Sequence, residues 1–279
     1  MKGTTTLPGA PWYRFWSARR ELSGHATSAT ASDVATARYH NISSATAEKG
    51  THGRFEIADG TLEALKWGAL VLMVFDHVNK YLFAEGLPVI FQLGRIVMPI
   101  FGFVLAYNLA RPNALARGVH GRMMYRLTLA GLAASPMFII LNGMFVTKYA
   151  WWPLNILFTL LTVVTLAYLI ERGGVRRYAL AVGLFVIGGA FVEYLWLGVL
   201  CCLGAWLYCR NPSPSRLLLW FLGTLSLAVV NGNAWSLAAI PIVLAASRVT
   251  LRLPRLKWAF YAFYPAHLLV LLVVRLEWF

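Results

Sequence analysis

From residue 62 to residue 274 the chain is a succession of apolar runs separated by short polar turns, each run about 15 to 23 residues long, the length of a bilayer-spanning helix. Runs of this kind have few possible fates. In hydrocarbon every backbone N–H and C=O must be satisfied inside the segment or in a closed barrel. The apolar residues here do not alternate with polar ones, which excludes the short dyad-patterned strands of an outer-membrane barrel. Composition agrees, at 59% hydrophobic and 13% charged, against roughly half apolar and a quarter charged in soluble domains. The expected fold class is all-α, a polytopic integral membrane helical bundle.

Nine spans are predicted, over 62–84, 88–109, 126–146, 152–170, 178–192, 194–208, 217–231, 235–247 and 258–274. The fifth and sixth are separated only by Glu193, so one long broken helix is an alternative. The seventh and eighth share Asn231, Gly232 and Asn233 as a turn, and the count ranges from eight to ten. Residues 1–60 contrast with the rest. They are rich in Ser, Thr, Ala and Gly, carry seven Lys/Arg against five Asp/Glu, and lack an apolar run of signal-peptide length, which predicts a disordered cytoplasmic N-terminal tail before a membrane domain at 61–279. Trp12, Tyr13, Phe15 and Trp16, with Arg14, Arg19 and Arg20, offer the alternative of a patch resting on an anionic membrane surface.

Positive charge falls in every second loop: Arg111, Arg117, Arg122 and Arg126; Arg172, Arg176 and Arg177; Arg210 and Arg216; and Arg248, Arg252, Arg255 and Lys257. Cytoplasmic loops of inner-membrane proteins keep this excess. The pattern predicts a bacterial inner-membrane protein with its N-terminus cytoplasmic and, for nine spans, its C-terminus periplasmic. It also accounts for most of the net charge of +14, so membrane lipids are expected partners and nucleic acid is not. Cys201, Cys202 and Cys209 lack metal-ligand spacing and are expected to serve as small packing residues.

The first span carries Asp76, His77, Asn79 and Lys80 within little more than one turn, and ionisable groups at membrane depth are rare unless they pair, line a cavity or do chemistry. Topology brings others to the same outward-biased layer: Gln92 and Arg95 on the second span, Glu193 at an outer turn, and Tyr264, Pro265 and His267 on the last. Each has a plainer explanation. Asp76 and Lys80 are spaced i, i+4 and can neutralise each other. Arg95 stays charged at any depth and needs a partner, for which Asp76 is the most economical. His77 lies about 100° around the helix from Asp76 and faces a different neighbour. Two histidines and Asp76 make a weak metal set, and no metal is expected. No GxSxG, HExxH or P-loop sequence is present. The simplest use of these groups is a histidine that deprotonates an amine or hydroxyl for attack on a thioester, with a cation or hydroxyl steadying the oxyanion. Composition does not choose this over a proton-coupled transporter.

The runs LKWGALVLMVFDHVNKYLF, LGRIVMPIFGFVLAYNLAR and FYAFYPAHLLVLL resemble the TraX family, the membrane pilin acetylases of conjugative transfer, which are similar in turn to integral-membrane acyltransferases of envelope sugars and polymers. The resemblance spans about residues 57–274. It implies acetyl transfer from acetyl-CoA to the N-terminus of a processed pilin subunit in the inner membrane. In that case His77 is the candidate general base, Asp76 its companion acid, Arg95 the cation of the LGR motif, and Tyr264 and His267 the closing YPxH element. Asn79, Lys80 and Tyr264 are candidate substrate contacts. The basic loop with Arg111, Arg122 and Arg126 is a candidate site for the CoA phosphates, although positive-inside topology is the plainer explanation of each arginine taken singly. Two alternatives stay open: an O-acyltransferase acting on an envelope glycan or lipid, and a transporter or non-catalytic assembly factor of the conjugation machinery. Which histidine is the base is left undecided.

Overall fold

The computed structural model describes residues 55–279 apart from Phe145, Lys257 and Phe279. The predicted tail, with its aromatic and arginine cluster, lies outside the described residues except for its last six. Those six do not continue the tail. Phe55 packs edge-on against Phe103, the Ile57 N–H donates to the Tyr107 hydroxyl at 2.9 Å, and α1 begins at Asp59.

The described residues are helical and contain no strand; one isolated bridge pairs Leu154 with Val192. In order the helices are α1 (Asp59–Leu82), α2 (Pro88–Gly94), α3 (Val97–Leu109), α4 (Val119–Leu141), α5 (Ile156–Arg172) and α6 (Val175–Gly183), which runs on through a π-helical turn. They are followed by α7 (Leu195–Arg210), α8 (Pro214–Ser226), α9 (Ala239–Ala246) and α10 (Ala259–Trp278). Each of the nine predicted stretches falls largely on helix. Pro88–Leu109, Val119–Leu141, Pro214–Asn231 and Ala259–Glu277 are long and apolar enough to cross a bilayer, while Leu195–Arg210 and Trp235–Ala246 are apolar but shorter. The protein is thus a multi-pass membrane protein by helix length and composition; among the described residues four helices, where nine spans are predicted, are long and apolar enough for a crossing.

Two breaks place the site. The predicted second span is broken between Gly94 and Val97. Pro99 has no N–H to offer the Arg95 carbonyl, so the helical ladder cannot cross this point intact, and Arg95 is left at the corner. The second break lies between the predicted fifth and sixth spans. There Val192 is extended (φ −98°, ψ 156°), Tyr194 is left-handed (φ 63°), and the Glu193 N–H donates to the Leu154 carbonyl at 2.9 Å. The single broken helix considered for 178–208 is therefore two elements with a bridged turn between them.

Small residues let the helices approach. A Cβ at Gly204 would press on the backbone of Leu219 and Trp220, and one at Gly223 on Leu200 and Cys201, so α7 and α8 meet backbone to backbone, as small residues permit in membrane bundles. The three cysteines are free and buried, as expected of packing residues; Cys201 Sγ lies 3.4 Å from Thr224 Oγ1.

Candidate functional site

Asp76 and His77 are consecutive, so α-helical geometry turns them about 100° apart around α1. Asp76 faces the break after α2. Its Oδ1 accepts from Arg95 Nη2 at 2.7 Å; Arg95 Nε donates to the Phe91 carbonyl at 3.1 Å, and its guanidinium lies over the Phe91 ring. Gly94 lets this happen, because any Cβ there would meet the Asp76 carboxylate. The ion pair expected as one possibility for Asp76 and Lys80 is not the one formed. The Lys80 ammonium lies over the rings of Tyr81 and Phe138.

His77 faces α10. Its Nδ1 is 2.7 Å from His267 Nε2, and the two rings are parallel within 7° with centroids 5.0 Å apart. That separation is one hydrogen bond plus two ring radii, so the imidazoles lie edge to edge in a common plane. His267 Nδ1 is 3.1 Å from the Phe263 carbonyl one turn earlier. Tyr264 packs edge-on against both rings. It is buried, and its hydroxyl, which lies by the Ile156 backbone N–H, has no group among the described residues to donate to. Asn79 is fully buried and uses its amide on Leu87, accepting from that N–H at 2.9 Å and donating to that C=O at 3.2 Å. It closes the turn between α1 and α2.

The arginine candidates gather at the other end of α1. A cavity of about 340 Å³ is lined by Lys66, Arg111, Arg117, Arg122, Arg126 and Arg255, with Glu63 and Asn108. Its cations are held in different ways. Arg111 and Arg255 both pair with Asp59. The hydrogen bond from Arg111 holds the Asp59 carboxyl below the usual carboxylate range, outweighing the opposite effect of burial. Arg122 donates to the Arg117 carbonyl at 2.6 Å, and Arg126 lies over the Trp258 ring. Arg117 belongs to the candidate loop, whereas Lys66 and Arg255 come from outside it; the alternation of basic loops is the signal for Arg255.

Shared side chains lie between the two ends. Phe101, Leu160 and Phe260 line both the cavity and a narrow apolar slot that ends at Tyr264, with Leu70 and Met73 on its α1 side. The slot holds about 10 Å³, room for about one water. Along α1 the sequence Glu63, Lys66, Leu70, Met73, His77 advances by three and four residues and so forms one helical face. Phe260, Tyr264 and His267 do the same on α10. From Lys66 to His77 this face rises about 16 Å at 1.5 Å per residue.

The sequence places Glu193 in the outward-biased layer without a role, and does not point to Tyr194. Glu193 is within electrostatic reach of Lys80, Asp76 and Arg95, and the strained backbone of Tyr194 beside it is of the kind concentrated at functional sites. Among the described residues no set of three or more His, Cys, Asp or Glu converges as a metal site requires.

No curated protein and no solved structure matches the chain. The family model described as TraX protein matches residues 61–275, a stretch that holds the ion pair, the histidine pair, the slot and the arginine cavity, and the chain belongs to the TraX family.

Proposed function

We propose that this protein is an inner-membrane acetyltransferase that moves the acetyl group of acetyl-CoA to the N-terminal amine of a conjugative pilin subunit. The family is associated with pilin acetylation. The observation that carries the chemistry is the arginine-lined cavity with a narrow apolar slot beside it, which ends at Tyr264 against the histidine pair. Acetyl-CoA, here a substrate, has the matching shape: a phosphate-rich head and a long thin arm that ends in the reactive thioester. Twelve bonds join the last phosphate oxygen to the sulfur, as many as in four residues of extended chain, so the arm reaches about 14 Å. That is close to the rise from Lys66 to His77. The slot is narrower than the arm, and Met73, Phe101 and Leu160 must shift to admit it.

In this account Arg122 and Arg126 lead the capture of the phosphates, because Arg111 and Arg255 are already engaged by Asp59. The positive-inside distribution puts this cavity on the cytoplasmic face, where CoA is found, and the histidine pair toward the opposite face, where a pilin N-terminus freed from its leader would lie. The amine nitrogen attacks the thioester carbonyl carbon; the C–N bond forms and the C–S bond breaks. The histidine pair takes the proton that the amine loses and returns it to the leaving thiolate. The Tyr264 O–H, at the end of the slot and donating to no other group, is the donor available to the tetrahedral oxyanion. Arg95 and Asp76 fix α2 against α1, and Asn79 fixes the turn between them.

The test uses the full protein in nanodiscs with acetyl-CoA and a synthetic peptide of the processed pilin N-terminus, free or formyl-blocked. Acetylation of the free peptide alone is expected. Transfer to neither peptide, with acetyl-CoA binding intact, overturns the proposed acceptor.

A further inference from the structure

Hydrogen-bond direction separates the two histidines. The Phe263 carbonyl can only accept, so His267 Nδ1, 3.1 Å away, carries a hydrogen. A neutral imidazole has one N–H, which leaves a lone pair on His267 Nε2. That nitrogen faces His77 Nδ1 at 2.7 Å, a distance at which two lone pairs repel. His77 Nδ1 must therefore be the donor, and the lone pair of His77 is on Nε2. Both rings are thus held in the Nδ1–H tautomer, the minor one for free histidine in water.

We infer that His77 Nε2 is the proton-accepting atom and that His267 is a positioning residue, which fixes the tautomer of His77 and steadies its cation. Both His267 nitrogens are occupied and the residue is 7% exposed, so it has no lone pair to offer a substrate. Asp76, spent on Arg95, cannot orient His77. When the amine proton moves to His77 Nε2, the ring becomes an imidazolium whose Nδ1–H still donates to His267 Nε2. That bond is then charge-assisted and stronger. The proton leaves from the same nitrogen to the CoA thiolate, and the His267 Nδ1 proton does not move. The dyad does with a neutral acceptor what a buried carboxylate does for the histidine of a catalytic triad.

The catalytic role rests on the acyl-transfer proposal; the bond direction does not, and the experiment reads them separately. His77 is the only histidine preceded by Asp and His267 the only one preceded by Ala. Carbonyl-labelled Asp or Ala combined with ¹⁵N-histidine therefore selects each in turn by solid-state NMR of the full protein in bilayers at neutral pH. Protonated Nδ1 and bare Nε2 are expected in both residues, and a proton on Nε2 of either overturns the assignment. Acetyl transfer from acetyl-CoA to the pilin peptide supplies the second readout. His77→Gln is expected to lose about 10²- to 10⁴-fold, the usual worth of a general base. His267→Ala is expected to lose about 10- to 100-fold, as for other orienting partners, and to shift the pH of half-maximal rate. His267→Gln sets an amide oxygen where Nε2 stood and is expected to restore both rate and pH profile. If His267→Ala keeps the wild-type profile, the positioning role is wrong. If wild type transfers nothing while the tautomers are as stated, the catalytic role falls and the bond direction stands.

Discussion

Replacing Arg95 by Met would leave Asp76 as a carboxylate in an apolar setting with its ion partner gone. The side chains of the pair are 13% and 14% exposed, so solvent screens them little and the rule for surface pairs does not apply. Removing one partner of such a pair costs about 3–5 kcal/mol, whereas neutralising both is often close to neutral, because the desolvation penalty goes with the charges. At roughly 2–4 °C per kcal/mol for a domain of this size, Arg95→Met should lower the melting temperature by about 6–20 °C. Asp76→Asn should also destabilise, since it strands the guanidinium. The double variant should recover most of the loss, a coupling that a double-mutant cycle isolates. Thermal unfolding of the four proteins in one detergent, followed by tryptophan fluorescence, is the assay. If the double variant loses as much as the two singles summed, Arg95 and Asp76 are not partners, and the assignment of His77 to His267 instead of Asp76 loses its support.

Met73→Trp should plug the slot, leaving acetyl-CoA binding in place while transfer falls by about 100-fold or more, at a packing cost of about 1–3 kcal/mol; equal losses of binding and turnover would mean that the arm takes another path. Arg122→Ala and Arg126→Ala should each weaken acetyl-CoA binding about tenfold, or about 1.4 kcal/mol, with a smaller effect at high salt. Unchanged affinity in calorimetry would remove the phosphates from this cavity. The Asp59 carboxyl is held below its ordinary value of 3.8, so its contribution is complete above that pH and is lost as pH falls through the lower, folded value. Asp59→Asn should accordingly flatten the acid limb of stability below about pH 4, and identical acid limbs for the two proteins would show that the latch to Arg111 and Arg255 contributes nothing.

What was legible in the sequence was whatever follows from hydropathy and from the cost of burying charge. Unbroken apolar runs dictated helices, and Arg95 needed a partner, for which Asp76 was the most economical. The 100° between Asp76 and His77 already sent them to different neighbours. The pairing of His77 with His267 was not legible, because it depends on the rotation of α10 against α1 across 190 residues of chain. The break at Gly94–Val97 had its signal in Pro99 but needed the neighbouring carboxylate to explain Gly94. The stripe from Glu63 to His77 was readable as a three-four period, yet its meaning came only with the slot beside it. Glu193 looked like a turn residue because its role depends on an adjoining bridge between Leu154 and Val192 that no local pattern announces.

Pilin acetylation is read from the intact mass of the pilin from cells carrying the wild-type protein, a deletion, or His77→Ala, with membrane levels of the wild type and variant matched. One acetyl group is expected on the pilin N-terminus with wild type and none with the deletion or the variant. A pilin of the same mass in wild-type and deletion cells would contradict it.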